Sequence, residues 1–319
     1  MYNIFILILS IAAMLWSASH LVSGASGIAF YYRLPPFLIG FTLVAIGTSA
    51  PEIMIAINAS MDGLNDIAIG NVIGTNIANI GLVLGLTALI KPLKMQSSLL
   101  RREYPLLFLV MLFTYSLMLD GYLGIMDSCL FLLACIGLLG YLLLRARRSV
   151  LTNRVALDFQ QAWLQKRSVK IHTVHFILGF LILAVSTKYF ISSSVILAKN
   201  FGVSDLVIGL TLVAIGSSLP ELITSVMAAV KGADDIAVGN ILGANVFNLL
   251  AVMIFPGIIH PALISHAVLW RDIPVMFATT LVLLWFSYRN KKALTRWHGV
   301  LLILIYCSYI LSILISANH

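Results

Sequence analysis

Charged residues are scarce in this sequence: Asp, Glu, Lys and Arg make up only 10% of its 319 residues, whereas they are about 25% of an average soluble domain. Hydrophobic residues make up 61%, and the mean hydropathy is +1.03. Apolar runs near the roughly 20 residues that span a bilayer recur along the whole chain. The composition therefore excludes an ordinary soluble domain and predicts an all-α polytopic membrane protein.

Several functional motifs are also missing. The three cysteines, Cys129, Cys135 and Cys307, stand in apolar runs without CxxC or Cys/His spacing, which favours buried side chains over a metal site or a disulfide. Because HExxH, Walker and dinucleotide glycine motifs are absent, neither a zinc protease nor an ATP-driven pump is indicated. We expect no enzyme activity and no cofactor. The net charge of +8 is expected in loops and indicates no nucleic-acid partner.

The chain contains an internal repeat. Residues 40–85 and 209–254 align at a constant offset of 169 without a gap, and 21 of the 46 positions are identical. GFTLVAIGTSAPE lies over GLTLVAIGSSLPE, and GNVIGTNIANI lies over GNILGANVFNL. Two halves therefore descend from one unit, and we expect them to span residues 1–144 and 173–319.

Dividing the apolar runs predicts ten transmembrane helices, five in each half. The approximate spans are 2–23, 37–60, 67–90, 104–119, 124–144, 174–198, 206–230, 236–259, 273–288 and 298–316. Because five is odd, the second half enters the membrane in the opposite orientation. The predicted fold is therefore a pair of inverted five-helix repeats.

Loop charges predict the orientation of the chain. With the N- and C-termini outside, nearly all lysines and arginines face the cytoplasm, and only Lys199 and Arg271 face out. The positive-inside rule strongly favours this arrangement. Lys188 lies within a span, where we expect a partner in the core or a water-lined crevice. A bacterial inner membrane is the default location, and the lipid bilayer is the expected partner.

Residues 145–172 form the one long polar segment and are predicted to be a basic cytoplasmic linker between the halves. One interpretation is a simple tether. The other is a surface helix that touches anionic lipid, because basic residues alternate with apolar ones. Nothing in the sequence predicts an oligomeric state.

Two glutamates, Glu52 and Glu221, lie deep in predicted spans at equivalent positions of the repeat. A charged side chain at mid-bilayer costs about 2.5–3.5 kcal/mol on insertion scales. No lysine or arginine lies at matching depth in either motif. A bound cation is therefore the simplest compensation, and protonation is the next.

Oxygen donors accompany both glutamates. Hydroxyl residues precede each glutamate by three and four positions, and a spacing of four places both groups on one helical face. Pro51 and Pro220 lack a backbone N–H, so with Gly47 and Gly216 they are expected to break the helices and free carbonyls. The next span adds a hydroxyl and an amide in the first repeat, and an amide alone in the second. The candidate ligands are Glu52, Glu221, Thr48, Ser49, Ser217, Ser218, Thr75, Asn79 and Asn248, with the carbonyls of Ala45 and Ala214. Such an all-oxygen set suits Ca²⁺ or Na⁺ and not soft metals.

Other glycines and asparagines of the motifs have structural interpretations. The glycines at GxxxG spacing predict close helix packing. These glycines are Gly70, Gly74, Gly239 and Gly243. Asn71 and Asn240 are expected to bond backbone across helices. Asn76 and Asn245 are expected to support the neighbouring broken helix.

The motifs GTSAPE with GNVIGTNIANIG, and GSSLPE with GNILGANVFN, resemble the α1 and α2 repeats of the calcium/cation antiporter superfamily. The resemblance is nearest to its prokaryotic sodium/calcium exchangers. It implies ten helices, with the four motif helices packed around one ion site and the first and sixth helices sliding past them. It also implies the ligand set given above. The chain departs from some family members at Asn248 and Ala244, where they carry aspartate and serine.

The resemblance implies a secondary active antiporter that exchanges Ca²⁺ for Na⁺ by alternating access. A proton/calcium exchanger is the nearest alternative because Glu52 or Glu221 could take a proton, and potassium dependence stays open. Two glutamates neutralise one Ca²⁺ but not Ca²⁺ and several Na⁺ together, so the ions are expected to compete. Remoter alternatives are a cation channel and an intramembrane protease with Ser26 of GASG as nucleophile, which would need a histidine at similar depth.

Overall fold

The computed structural model describes residues 2–94, 97–152, 168–200, 214–289 and 293–317, which are mostly helical. The helices are α1 (Tyr2–Tyr31), α2 (Pro36–Ile39), α3 (Ala45–Thr48), α4 (Ala50–Met61), α5 (Asn65–Ala78), α6 (Gly85–Ile90), α7 (Ser97–Met118), α8 (Ile125–Thr152), α9 (Val169–Asn200), α10 (Ala214–Ser217), α11 (Leu219–Val230), α12 (Asp234–Phe247), α13 (Ile254–Ile259), α14 (Ile273–Arg289) and α15 (Arg296–Ala317). π-Helical turns occupy Gly40–Val44, Asn79–Leu84, Asn248–Val252 and Val268–Asp272. Two-residue strands are β1 (Leu93–Lys94), β2 (Tyr122–Leu123), β3 (Ala262–Leu263) and β4 (Ala293–Leu294).

The chain is a multi-pass membrane protein. Within the described ranges, seven helices are long and apolar enough to cross a bilayer, and the bent pair Pro36–Thr48 with Ala50–Met61 makes an eighth. The shorter apolar helices Glu103–Met118 and Leu219–Val230 fall on the fourth and seventh predicted spans. Residues 206–213 of the seventh span and 153–167 of the predicted linker lie outside the described residues. The arrangement of ten helices in inverted repeats stays a prediction.

The predicted breaks in the motif helices are confirmed. A single residue, Ser49, separates α3 from α4, and the chain bends there by 41°. Ser218 separates α10 from α11 in the same way. Pro51 and Pro220 are each the second residue of the new helix, where the missing N–H would have no intrahelical acceptor.

A glycine with positive φ closes the turn after each motif helix. Gly63 (φ 72°) lies between α4 and α5, and Gly232 (φ 80°) lies between α11 and α12. A residue with a Cβ is strained in this backbone region, whereas glycine is not. The two glycines are equivalent in the repeat, so the same turn is encoded in both halves.

The helices group into two compact units, and each unit takes segments from both halves of the chain. The first unit consists of Met1–Ala50 and Gly137–Asn240, and the second of Pro51–Ile136 and Ile241–His319. The two repeats predicted from the sequence are halves of the chain that share an ancestor. The two units of the structure are instead groups of helices that pack together, whichever half they come from.

In the first unit α1 packs along α9 through small residues. A Cβ at Gly24 would lie 2.5 Å from the backbone nitrogen of Phe176, and a Cβ at Gly179 would lie 2.6 Å from that of Leu21. The His172 ring packs directly against Gly27. The glycines of GASG therefore allow two helices to approach closely.

Two lysines of the first unit have different surroundings. Lys188 is exposed on α9, so the expectation of a partner in the core is wrong, and the alternative of a water-lined crevice stays a prediction. The Lys231 Nζ, just after α11, donates to the Ser19 carbonyl at 2.5 Å and to the Ser23 hydroxyl at 2.6 Å. Hydrogen bonds from an ammonium are stronger than neutral ones, so Lys231 fixes the end of α11 to α1.

In the second unit α15 packs against α6 and the π-helical turn that precedes it. A Cβ at Gly85 would lie 2.9 Å from Ile303 Cγ1, which shows how closely the helices approach. β1 pairs antiparallel with β4, and β2 pairs antiparallel with β3. The first ladder joins the end of α6 to the start of α15, and the second joins the segments that follow α7 and α13.

Close glycine packing is confirmed at Gly239 of the second repeat, whereas Gly70 and Gly74 of the first repeat have no close neighbour among the described residues. A Cβ at Gly239 would lie 2.5 Å from the Phe37 carbonyl oxygen. A Cβ at Gly70 or Gly74 would meet no described atom within 4 Å. Gly70 and Gly239, which are equivalent in the repeat, therefore differ in their packing against the described part of the chain.

Candidate ion-binding site

Both glutamates are buried in the first turn of a helix. Glu52 is the third residue of α4 and Glu221 the third residue of α11, and each is 0% exposed. The positive end of a helix dipole favours a carboxylate at this position. The break at Ser49 or Ser218 therefore creates the helix end that supports the charge, a relation that the sequence analysis missed although it predicted both the break and the charge.

The first unit brings Thr48 and Ser49 to the Glu221 carboxyl. The Ser49 hydroxyl donates to Glu221 Oε1 across 3.5 Å, the outer limit of a hydrogen bond. The Thr48 hydroxyl donates to Asn240 Oδ1 at 3.1 Å. Glu221 Oε2 is buried and has no hydrogen-bond partner among the described residues. One carboxylate oxygen is thus bonded weakly and the other is left for a further partner.

The remaining first-unit candidates flank the second break. Ser217 ends α10 and Ser218 stands between the two helices, and both side chains are buried. The Ser218 hydroxyl has no hydrogen-bond partner in the described part of the chain. Ala214 begins α10, and its role as a carbonyl ligand stays a prediction.

Asn240 connects two of the elements that carry these residues. Its Nδ2 donates to the Ser225 hydroxyl at 3.0 Å and, at 3.5 Å, to the Glu221 carbonyl, while its Oδ1 accepts from Thr48. The predicted bond from Asn240 to backbone across helices is therefore confirmed. In its repeat equivalent, Asn71, the Nδ2 is buried without a hydrogen-bond partner among the described residues, so this nitrogen makes no such bond there.

The expectation that the break frees the Ala45 carbonyl is wrong. The Ala45 oxygen accepts from the Ser49 N–H at 3.0 Å and lies 3.3 Å from the Thr48 hydroxyl. A proline removes the hydrogen bond to the carbonyl four residues before it, which for Pro51 is the carbonyl of Gly47.

The second unit contains Glu52, Thr75, Asn79 and Asn248, all of them buried. The Asn79 Nδ2 donates to Asn245 Oδ1 at 3.0 Å. The Asn79 Oδ1 and both polar atoms of the Asn248 amide have no hydrogen-bond partner among the described residues. Amide oxygens are thus available at equivalent positions of the two repeats.

Asn79 and Asn248 are each the first residue of a π-helical turn. Such turns are rare and frequently mark functional sites. The extra residue in the turn changes the direction of the side chains that follow it, so simple helical spacing fails beyond these points. No signal in the sequence pattern predicted the two turns.

The donor chemistry fits a hard cation. Among the predicted ligands, Glu221 is the carboxylate of the first unit and Glu52 that of the second. The other side-chain ligands are hydroxyls and amides, whose oxygens Ca²⁺ and Na⁺ accept. Among the described residues, no group of three or more His, Cys, Asp or Glu side chains could hold a metal ion.

Comparison with known proteins agrees with this chemistry. The family described as "Sodium/calcium exchanger protein" matches residues 2–144 and 171–315. The chain belongs to the sodium/calcium exchanger family. The resemblance to prokaryotic exchangers of the calcium/cation antiporter superfamily is therefore confirmed, and these are transmembrane antiporters.

Relatives of this exchanger chain match it over nearly its full length. CaxA of Alkalimonas amylolytica is 40% identical over 309 residues, which cover 96% of this chain and 97% of CaxA. The inner membrane protein YrbG of Escherichia coli is 36% identical, with 93% and 92% covered. A solved structure of the sodium-calcium exchanger NCX_Mj, soaked with Na⁺ and Ca²⁺, superposes with a TM-score of 0.82 at 28% identity and covers 98% of both chains.

Proposed function

We propose that the protein is a secondary active antiporter that exchanges Ca²⁺ for Na⁺ across the membrane by alternating access. The description of its family and the name of NCX_Mj support this pair of ions. Both the family description and the name of NCX_Mj refer to exchangers, which supports a transporter rather than an enzyme. The shared site that we propose contains Glu52 and Glu221, the equivalent carboxylates of the two repeats.

One observation carries the proposal: buried oxygens of the predicted ligands lack hydrogen-bond donors in the described residues. They are Glu221 Oε2 and Ser218 Oγ in the first unit, and Asn79 Oδ1 and Asn248 Oδ1 in the second. Burying a polar oxygen without a partner costs about 1–3 kcal/mol, and a charged one costs more. In each unit, a cation that accepts such oxygens as ligands would remove that cost.

Charge balance supports competition between the transported ions. Two carboxylates neutralise one Ca²⁺, and Asn248, unlike an aspartate, adds no third charge. Holding Ca²⁺ and several Na⁺ together would leave excess positive charge in a low-dielectric core, which is severely unfavourable. Alternate occupancy then couples the two fluxes. If three Na⁺ exchange for one Ca²⁺, one net charge crosses per cycle, worth about 2.3 kcal/mol per 100 mV.

We place the protein in a bacterial inner membrane, as the name of YrbG suggests for that relative. Its ten proposed helices form two inverted repeats, with both termini outside and residues 145–172 in the cytoplasm. The clustering of basic residues in the loops that then face the cytoplasm supports this orientation.

Calcium uptake by the purified protein in liposomes tests the role of the glutamates. We expect Glu52→Gln and Glu221→Gln to abolish ⁴⁵Ca²⁺ uptake driven by an outward Na⁺ gradient, because an amide cannot neutralise the ion. Glu103→Gln is the matched control, since Glu103 is a buried glutamate outside the repeat motifs, and this variant should retain uptake. Uptake by Glu52→Gln equal to that of the wild type would overturn the proposal.

A further inference from the structure

Three buried asparagines of the second unit form a directed chain of hydrogen bonds. The Asn79 Nδ2 donates to Asn245 Oδ1 at 3.0 Å, and the Asn245 Nδ2 donates to the backbone carbonyl oxygen of Asn76 at 3.3 Å. Asn79 is 0% exposed and Asn245 is 1% exposed. Water therefore does not compete for these bonds from the surface.

The backbone carbonyl fixes the direction of this chain. A carbonyl oxygen only accepts hydrogen bonds, so Asn245 must turn its NH₂ group towards Asn76. The Asn245 oxygen then faces Asn79, which must in turn present its own NH₂ group. The Asn79 Oδ1 is thereby directed away from Asn245, and it is buried without a hydrogen-bond partner among the described residues.

We propose that Asn245 is a positioning residue for ion exchange: it holds the Asn79 amide with its oxygen, and not its NH₂ group, available to the cation. The inference rests on the proposed function. The two ends of an amide have nearly the same shape, so packing alone does not distinguish them and hydrogen bonding must do so. A reversed amide would direct hydrogens with partial positive charge at the cation and would repel it.

The repeat equivalent of Asn245 does not make the same hydrogen bonds. Asn76 is the repeat equivalent of Asn245, but its Nδ2 donates to the Val72 carbonyl of its own helix at 2.8 Å. Neither polar atom of the Asn248 amide has a hydrogen-bond partner in the described residues. The direction of the Asn79 amide is therefore set before an ion binds, whereas nothing described sets that of Asn248.

A double-mutant cycle separates positioning from general support of the fold. The four proteins are the wild type, Asn245→Val, Asn79→Asp, and the combination of both changes. Valine neither donates nor accepts, so it releases the Asn79 amide. An aspartate at position 79 presents an oxygen in either orientation, so it needs no positioning. The readouts are the Ca²⁺ KM and the maximal rate of uptake, and the rise in thermal midpoint on adding Ca²⁺.

We expect Asn245→Val to raise the Ca²⁺ KM about tenfold in the wild-type background, the effect of losing one well-placed ligand. In the Asn79→Asp background we expect a rise of less than about twofold. The Ca²⁺-induced rise in thermal midpoint should shrink in the first case only. Asn76→Leu is the matched control: it removes the equivalent amide but keeps the backbone carbonyl that anchors Asn245, so its effect on KM should be smaller.

If Asn245→Val raised the Ca²⁺ KM by the same factor with asparagine and with aspartate at position 79, the proposal would be overturned. A purely structural asparagine would be needed equally in both proteins. Asn245→Leu provides a second substitution with the branched shape of asparagine. If neither substitution yields folded protein in either background, Asn245 is a packing residue and the proposal is likewise wrong. A wild type that shows neither Ca²⁺ uptake nor Ca²⁺-induced stabilisation would instead refute the proposed function itself.

Discussion

Replacing Asn240 with valine tests whether the structure, and not the repeat alone, predicts the consequence of a mutation. Asn240 is 0% exposed and its amide makes three contacts: with Thr48 at 3.1 Å, with Ser225 at 3.0 Å and with the Glu221 carbonyl at 3.5 Å. Valine is of similar size and removes all three. Thr48, Ser225 and the Glu221 carbonyl then stay buried without the hydrogen bonds that Asn240 made.

The magnitude follows from the contacts. A buried group that loses its partner costs about 1–3 kcal/mol. Thr48 retains the Ala45 carbonyl as an acceptor at 3.3 Å, and the bond to the Glu221 carbonyl is long, so Ser225 carries most of the loss. We expect a destabilisation of about 2–4 kcal/mol in total.

The matched control is Asn71→Val, the same change at the equivalent position of the first repeat. The Asn71 Nδ2 has no hydrogen-bond partner among the described residues, so we expect a cost below about 1 kcal/mol. Thermal midpoints of the two detergent-solubilised variants, followed by tryptophan fluorescence, measure the difference. Equal shifts, or a larger shift for Asn71→Val, would refute the reasoning.

Two further predictions concern packing and a charged contact. Gly239→Ala should lower the thermal midpoint clearly and Gly70→Ala should not, because an added Cβ would lie 2.5 Å from the Phe37 carbonyl in one case and meet no described atom within 4 Å in the other; the reverse order would contradict the packing. Lys231→Met should also lower the midpoint, since it removes the ammonium that donates to Ser19 at 2.5 Å, and Lys231→Arg should restore part of the loss. A midpoint for Lys231→Met that equals that of the wild type would show that this contact contributes nothing.

Local chemistry explains why parts of the fold were predictable. Pro51 and Pro220 dictate where the motif helices end, since a proline N cannot continue the ladder of hydrogen bonds, and each break occurs two residues before its proline. Gly63 and Gly232 mark turns that need positive φ. The polar residues of the predicted site are buried because polar residues amid apolar runs face the interior of a membrane protein.

Features that depend on tertiary neighbours were not predictable from the repeat. Gly70 and Gly239 are identical residues in equivalent positions, yet of the two only Gly239 lies close to another helix within the described residues. Asn71 and Asn240 also differ, because Asn240 donates to the Ser225 hydroxyl, whereas the equivalent residue of the first repeat is Ala56, which has no side-chain acceptor. The π-helical turn that begins at Asn79 also depends on packing around the helix and has no signature in the residue pattern.

The coupling of the two ion fluxes is the central claim, and a gradient experiment tests it most directly. Liposomes containing the purified protein are loaded with Na⁺ and diluted into Na⁺-free buffer with ⁴⁵Ca²⁺, and parallel samples carry a pH gradient or a K⁺ gradient instead. We predict that the outward Na⁺ gradient drives Ca²⁺ uptake above its equilibrium level and that the other gradients do not. Ca²⁺ accumulation driven by the pH gradient, with none driven by Na⁺, would contradict sodium/calcium exchange.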